Sequence, residues 1–130
     1  MNYVLLAGRL TRDPEIRGFA SGRSVAKLRL AINERLQDEQ GQKIERTVYV
    51  DVEAWTPLAE ECGRTLRRGA PVLVEGRLRL DQWKTKEGQN RQRLLVRALR
   101  VEAMESDRRA GADEPAEALA PDAAPEDAAN

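Results

Sequence analysis

Histidine is absent from the 130 residues, and cysteine occurs once, as Cys62. Without an imidazole, and with the lone thiol at an apolar helical position, no nucleophile–base pair and no His/Cys metal cluster can be assembled. Only carboxylate chemistry is left to an enzyme. The close pair Asp13 and Glu15 flanks Pro14, where Asp13 reads as a turn residue bonding to nearby backbone. A single cysteine also excludes an intrachain disulfide, and Cys62 reads as a small core residue. No apolar run approaches about 18 residues and no signal peptide opens the chain, so a cytoplasmic protein is expected. The loop at 18–23, around Ser21-Gly22, lacks the spacing and the Lys-Ser/Thr of a phosphate-cradling loop. No cofactor and no metal are expected.

Charge of one sign is missing from the end of the chain. The last basic residue is Arg109, and six of the 22 acidic residues (Asp113, Glu114, Glu117, Asp122, Glu126, Asp127) lie beyond it. The formal net charge of zero therefore hides a body at +6 and a tail at −6. That segregation suits a polyanionic partner, with a tail that the partner repels or that competes with it; solubility alone is the other explanation. From about Ser106 the chain is Ala, Asp, Glu and Pro with few large apolar residues, and residues 106–130 are expected to be disordered.

Aromatic residues make up only 4% of the chain, so their placement carries weight. The central run 47–55 alternates with a period of two, as a half-buried strand does. Val48, Val50, Val52 and Ala54 form the set for the core. Tyr49 and Trp55 fall in the other phase, beside Asp51 and Glu53. An apolar ring facing solvent costs hydration free energy unless something stacks on it; a nucleic-acid base is one candidate, and a ring that covers a barrel edge or a subunit contact is the other reading.

Around this strand the chain reads as four more. Residues 2–10 form the first, with Gly8 marking a bulge or bend. Residues 25–34 form the second, with Ala26, Leu28, Leu30 and Ile32 inward and a basic phase (Lys27, Arg29) outward. Between it and the central strand, 35–46 is polar and reads as a long mobile hairpin loop. Thr56-Pro57 opens a short helix, Thr as N-cap and Pro at the first position, with Leu58, Cys62 and Leu66 on one face. Arg67 and Arg68 are expected in its last turn, and Gly69 as its stop. The fourth strand, 71–80, places Val72, Val74, Leu78 and Leu80 inward and Arg77 and Arg79 outward. A hairpin at 81–90 carries Trp83, Lys84 and Lys86. The fifth strand, 91–102, has Arg91, Arg93 and Arg97 in one phase and Leu94, Val96 and Ala98 in the other. The fold class is therefore all-β: a five-stranded OB-fold barrel with one short α-helix between strands 3 and 4. Its domain is expected to span residues 1–105. Aromatic platforms beside a cationic groove suit sequence-tolerant binding of a single strand.

Several stretches resemble the bacterial single-stranded DNA-binding protein family. They are Gly8-Arg9-Leu10-Thr11-Arg12-Asp13-Pro14-Glu15, the Leu30-Ala31 strand end, the run from Tyr49 to Trp55, Leu58-Ala59-Glu60, Leu66-Arg67-Arg68-Gly69 and Val74-Glu75-Gly76-Arg77-Leu78. Together they cover roughly residues 1–103, in order and with the family's spacing. The resemblance implies a homotetramer that coats single-stranded DNA during replication, recombination and repair. It alone favours DNA over RNA. Trp55 and Trp83 lie where the family stacks bases, and Tyr49 where a ring is usual. A fourth aromatic position of some members is Leu36 here. The candidate DNA-binding set is Tyr49, Trp55, Trp83, Arg9, Arg12, Lys27, Arg29, Arg77, Arg79, Lys84, Lys86, Arg91 and Arg93. Asp51 and Glu53 need neutralising on such a face, with Arg29, Arg77 or Arg79 the expected partners.

The end of the chain departs from the family. Members that recruit replication and repair enzymes finish with an aspartate run and an Ile/Leu-Pro-Phe tip, whereas this chain finishes Pro125-Glu126-Asp127-Ala128-Ala129-Asn130. Acidity is kept without the Phe anchor, so recruitment of those enzymes is not carried over. A specialised paralogue, used in transformation or carried by a mobile element, fits that departure. The dimeric primosomal replication protein N, a restart factor, and a purely structural oligomeric barrel are the alternatives.

Overall fold

A computed structural model describes residues 1–104. The acidic segment 106–130, and with it the boundary at 105, lies outside the described residues. The strands are β1 (Val4–Leu10), β2 (Glu15–Gly18), β3 (Ser24–Gln37), β4 (Lys43–Trp55), β5 (Pro71–Lys84) and β6 (Asn90–Ala103), with the helix α1 (Leu58–Thr65) between β4 and β5.

The alternating apolar rows set the architecture. β3 and β4 pair antiparallel along their whole length, from Val25 opposite Trp55 to Gln37 opposite Lys43. Leu28 and Leu30 of β3 and Val52 and Ala54 of β4 face inward and are buried. β4 then pairs parallel with β6, β6 antiparallel with β5, and β5 antiparallel with β1. At Arg9 and Leu10, β1 leaves β5 and pairs with Ala31 and Leu30 of β3. That switch closes five strands into a barrel, the OB-fold expected from the sequence. Gly8 stands at the closure: a β-carbon there would come within 2.5 Å of the Ala31 carbonyl oxygen. Gly76, at the bulge between β5 and β6, would collide with the carbonyl oxygen of Arg97 if it carried one.

Helix α1 plugs one end of the barrel. Ala59, Cys62 and the residue after the helix, Leu66, are buried with Leu10, Leu28, Val72, Val74 and Val96 in one core. Glu60 and Glu61 occupy its first turn, near the positive end of the dipole. Two details differ from expectation. The N-cap is Pro57, because the Thr56 hydroxyl is spent on Ser24, accepting from its N–H at 2.6 Å and donating to its carbonyl at 2.9 Å. The helix also ends before Arg67 and Arg68, and Gly69 (φ +87°) belongs to the turn that follows. Asp13 does not bond within its own turn: its carboxylate accepts the Arg68 N–H at 2.7 Å, tying that turn to the segment after the helix.

Two hairpins run past the barrel wall. Residues 35–46 are not a mobile loop; both strands continue to a five-residue turn at 38–42, with Gly41 at φ +80°. β5 and β6 likewise continue to the turn at 85–89, so Trp83 sits on a strand. Beyond Gly76 of β5 and Val96 of β6, among the described residues, only these two strands pair with one another. Leu78, Leu80 and Leu94, in the inward phase, are therefore exposed, Leu94 the most at 64%, and so is Val48 on the other hairpin. Conversely Val25 and Leu95, on the outward rows, are buried. β2 was not expected; it adds to the free edge of β3, and none of its residues is buried.

Candidate nucleic-acid interface

Residues opposite one another in a ladder point to the same side of the sheet. Tyr49, Asp51, Glu53 and Trp55 of β4 share their side with Ala31, Arg29, Lys27 and Val25 of β3. The Glu53–Arg97 pair carries that side onto β6 as Arg97, Leu95, Arg93 and Arg91. It continues onto β5 as Arg77, Arg79, Asp81 and Trp83. Arg9 joins through Ala31 and Tyr49, one row across β1, β3 and β4. Arg12 lines a small cavity of about 170 Å³ on this face, with Lys27, Asp51, Glu53, Arg93 and Leu95 among its walls. The structure thus brings Tyr49, Trp55, Trp83, Arg9, Arg12, Lys27, Arg29, Arg77, Arg79, Arg91 and Arg93 onto one outer surface. Lys84 stands apart: it is in the opposite phase from Trp83. Lys86 lies in the turn at the hairpin tip.

The rings differ in setting. Trp83 is 44% exposed and lines a cleft of about 590 Å³ with Gln82, Lys84, Asn90, Arg91 and Gln92. Tyr49 is half-buried, with the Arg29 guanidinium 5.4 Å from its ring centre. Trp55 is half-buried too, and it is the most crowded. Phe19, on the turn after β2, stacks against it at 5.6 Å with 21° between planes, and Arg23 and Arg97 approach its ring to 4.5 and 5.9 Å. Such contacts use the negative face of the ring to hold a cation near the surface.

The two carboxylates are neutralised across the sheet. Arg29 donates to Asp51 at 2.7 Å, and Arg93 stands 3.8 Å from the other oxygen of Asp51. Arg79 donates to Glu53 at 3.1 Å. Arg77, the third expected partner, forms neither pair. Arg29 is the buried member of the set, only 6% exposed, with Nε and one terminal nitrogen lacking a hydrogen-bond partner. It acts from beneath the surface, on Tyr49 and Asp51. Arg93 is bound on two sides, since its Nε also lies 3.7 Å from Asp81.

Burial, with Glu61 nearby, pushes the Cys62 thiol up to about 11. Among the described residues no group of three or more His, Cys, Asp or Glu is placed to hold a metal ion. No helix among them is long and apolar enough to cross a membrane. Near the start of the chain the Tyr3 hydroxyl donates to Glu75 of β5 at 3.0 Å, and that bond raises its pKa.

The model of the single-strand binding protein family matches residues 1–104, the whole described barrel. The chain belongs to this family. A single-stranded DNA-binding protein of Deinococcus radiodurans is 46% identical over 104 residues, which are 80% of this chain and 34% of that protein. Single-stranded DNA-binding protein 2 of Chlorobaculum tepidum is 36% identical over 115 residues, 88% of this chain and 78% of that one. A crystal structure of a deletion mutant of the Thermus aquaticus single-stranded DNA binding protein superposes with a TM-score of 0.75 at 33% identity. It covers 82% of this chain and 51% of that one. A Plasmodium falciparum family member, in complex with ssDNA, superposes at 0.76 with 23% identity over 81% of this chain and 96% of that one; at that identity it speaks for the fold. The chain spans about a third of the length of the Deinococcus and Thermus relatives it matches.

Four side chains around the Trp55–Phe19 stack are not site candidates from the sequence: Phe19 itself, Arg17 over its ring, and Arg23 and Arg97 over Trp55. The first three lie on or beside β2, whose four residues offer no buried alternation to register. A phenylalanine inside a turn segment was the available signal.

Proposed function

We propose that this chain binds single-stranded DNA without regard to sequence and protects it during replication, recombination and repair. The observation that carries this reading is the shared outer face, where Tyr49, Trp55 and Trp83 alternate with arginines and lysine from neighbouring strands. Every base has a π-face, so rings accept any sequence, and the cations track the phosphates. Bases stack on Tyr49, Trp55 and Trp83. Phosphates meet Arg9, Arg12, Lys27, Arg77, Arg79, Arg91 and Arg93, with Lys84 and Lys86 at the hairpin tip and Arg29 supporting from below. The chain is a binding protein, not an enzyme, and works in the cytoplasm on the nucleoid.

The same reading has the barrel assemble, as a homotetramer first and a dimer second. Leu78, Leu80 and Leu94 support it, since a two-stranded hairpin with an open apolar face is marginal by itself. The 106–130 segment is read as an acidic tail outside the binding domain, with recruitment of replication and repair enzymes left unassigned. Mass in solution tests the assembly. Quenching of tryptophan fluorescence by oligo-dT, beside a duplex control, tests the binding: quenching by the single strand only is expected. Equal response to both, or to neither, rejects the reading.

A further inference from the structure

Phe19 is the chain's one phenylalanine, and it opens the turn between β2 and β3. The turn is well made: the Phe19 N–H donates to the Arg23 carbonyl at 2.8 Å, and its carbonyl accepts the Gly22 N–H at 2.9 Å, with Gly22 at φ +93°. Turns favour Gly, Asn, Asp, Ser and Pro, so a large ring here is not explained by turn geometry. Nor is it explained by the core, because the ring is 41% exposed and outside the barrel cluster.

Its neighbours are all on the outer face. Arg17, Val25 and Trp55 form one row across β2, β3 and β4. Phe19 stacks on Trp55, the Arg17 guanidinium lies 5.4 Å from the Phe19 ring centre, and Arg23 sits over Trp55. Two nearly parallel rings and their guanidinium partners make one continuous surface at this end of the face. Val25, in the same row as Trp55, is 3% exposed. A mere cover for Val25 and Trp55 needs apolar bulk and no particular plane. A ring held at 21° to Trp55, open on two-fifths of its surface and accompanied by cations, is what a further base can join by stacking. Meanwhile the tip of the β3–β4 hairpin carries Leu36 and no ring.

We propose that Phe19 is a fourth base-stacking ring, which extends the Trp55 platform onto the β2–β3 turn. Arg17 and Arg23 leave the ring faces for the phosphates of the arriving strand. This rests on the single-strand reading above and adds a contact element, the β2–β3 turn, to the bound path.

Phe19→Leu keeps apolar bulk and removes the π-face; Phe19→Trp keeps both. In oligo-dT titrations of the full chain, the Leu variant is expected to bind about fivefold weaker or more, the equivalent of one lost stack, and the Trp variant to bind like wild type. Photo-crosslinking of wild type to an oligonucleotide carrying 5-iododeoxyuridine is expected to label Phe19, a readout that needs no substitution. Wild-type affinity in the Leu variant, or crosslinks that never include Phe19, overturns the proposal while leaving the wider reading intact. Failure of wild type to bind oligo-dT removes both.

Discussion

Both sides of the β3–β4 ladder hide side chains, the inner one more completely and the outer one in part, and for opposite reasons. On the inner side Leu28, Leu30, Val52 and Ala54 are closed off by the far wall of the barrel and by α1. On the outer side Val25 and Arg29 are buried as well, under side chains that come from the same face: Trp55, Tyr49 and their partners. The inner cover cannot leave without unfolding. The outer cover consists of rings and guanidinium groups that can exchange one neighbour for another, which is what a binding surface needs. On the proposed function, one ladder then carries stability on one side and recognition on the other.

That division is broken or sharpened by substitutions on each side. Leu30→Ala should cost about 2–5 kcal/mol of stability, as large-to-small changes in closed cores do. Chemical denaturation measures it, and the protein still folded should bind oligo-dT as wild type does. An equal loss of affinity would merge the two sides. Asp51→Asn should push stability and binding in opposite directions. Buried Arg29 loses its ionic partner, for about 1–3 kcal/mol of stability, while removal of a carboxylate from the face tightens DNA binding at low salt. A weaker affinity in this variant would show that Asp51 serves recognition directly.

A smaller effect separates the inner side from solvent. The Cys62 pKa is raised to about 11 from 9.0, so the folded chain holds its proton more tightly than the unfolded one. Stability attributable to this thiol is then flat below pH 9 and declines between pH 9 and 11, by at most about 1.4 kcal/mol per pH unit. Comparison of wild type with Cys62→Ala across that window isolates it; because Cys62 is reached only by opening of the fold, DNA bound to the folded chain should slow its alkylation. The smallest effect belongs to single outer cations. Binding should weaken with salt at a slope of about −0.7 per neutralised phosphate, and Arg77→Gln should reduce the slope by about that amount.

Legibility in the sequence followed the same division. Where a strand is buried on one side only, alternation is visible, and the inward residues Ala26, Leu28, Leu30, Val52 and Ala54 could be assigned from it. The family resemblance and the strand order then led to the barrel. Alternation could not say where the barrel ends. Leu78, Leu80, Leu94 and Val48 continue the inward phase past the last packed neighbour, so an identical pattern means core at Val74 and surface at Leu80. The outer hairpin 35–46 failed for the complementary reason: its paired strands have no buried side, and their polarity resembles a loop. β2 left no pattern at all. Of the site, Tyr49, Trp55 and Trp83 stood out because large rings in a polar phase need a reason. Phe19 was passed over inside a segment marked by Ser21-Gly22, and the depth of Arg29 depends on Tyr49 and Asp51 lying across a ladder that only pairing reveals.

The central claim is that the rings on the outer side are held for unpaired nucleotides and not for the fold. The most direct measurement is the affinity of a Trp55→Ala/Trp83→Ala variant for labelled oligo-dT, read beside its thermal unfolding. The account predicts a protein that folds and binds at least about thirtyfold more weakly, two stacks having been removed. A variant that folds and binds as tightly as wild type contradicts it.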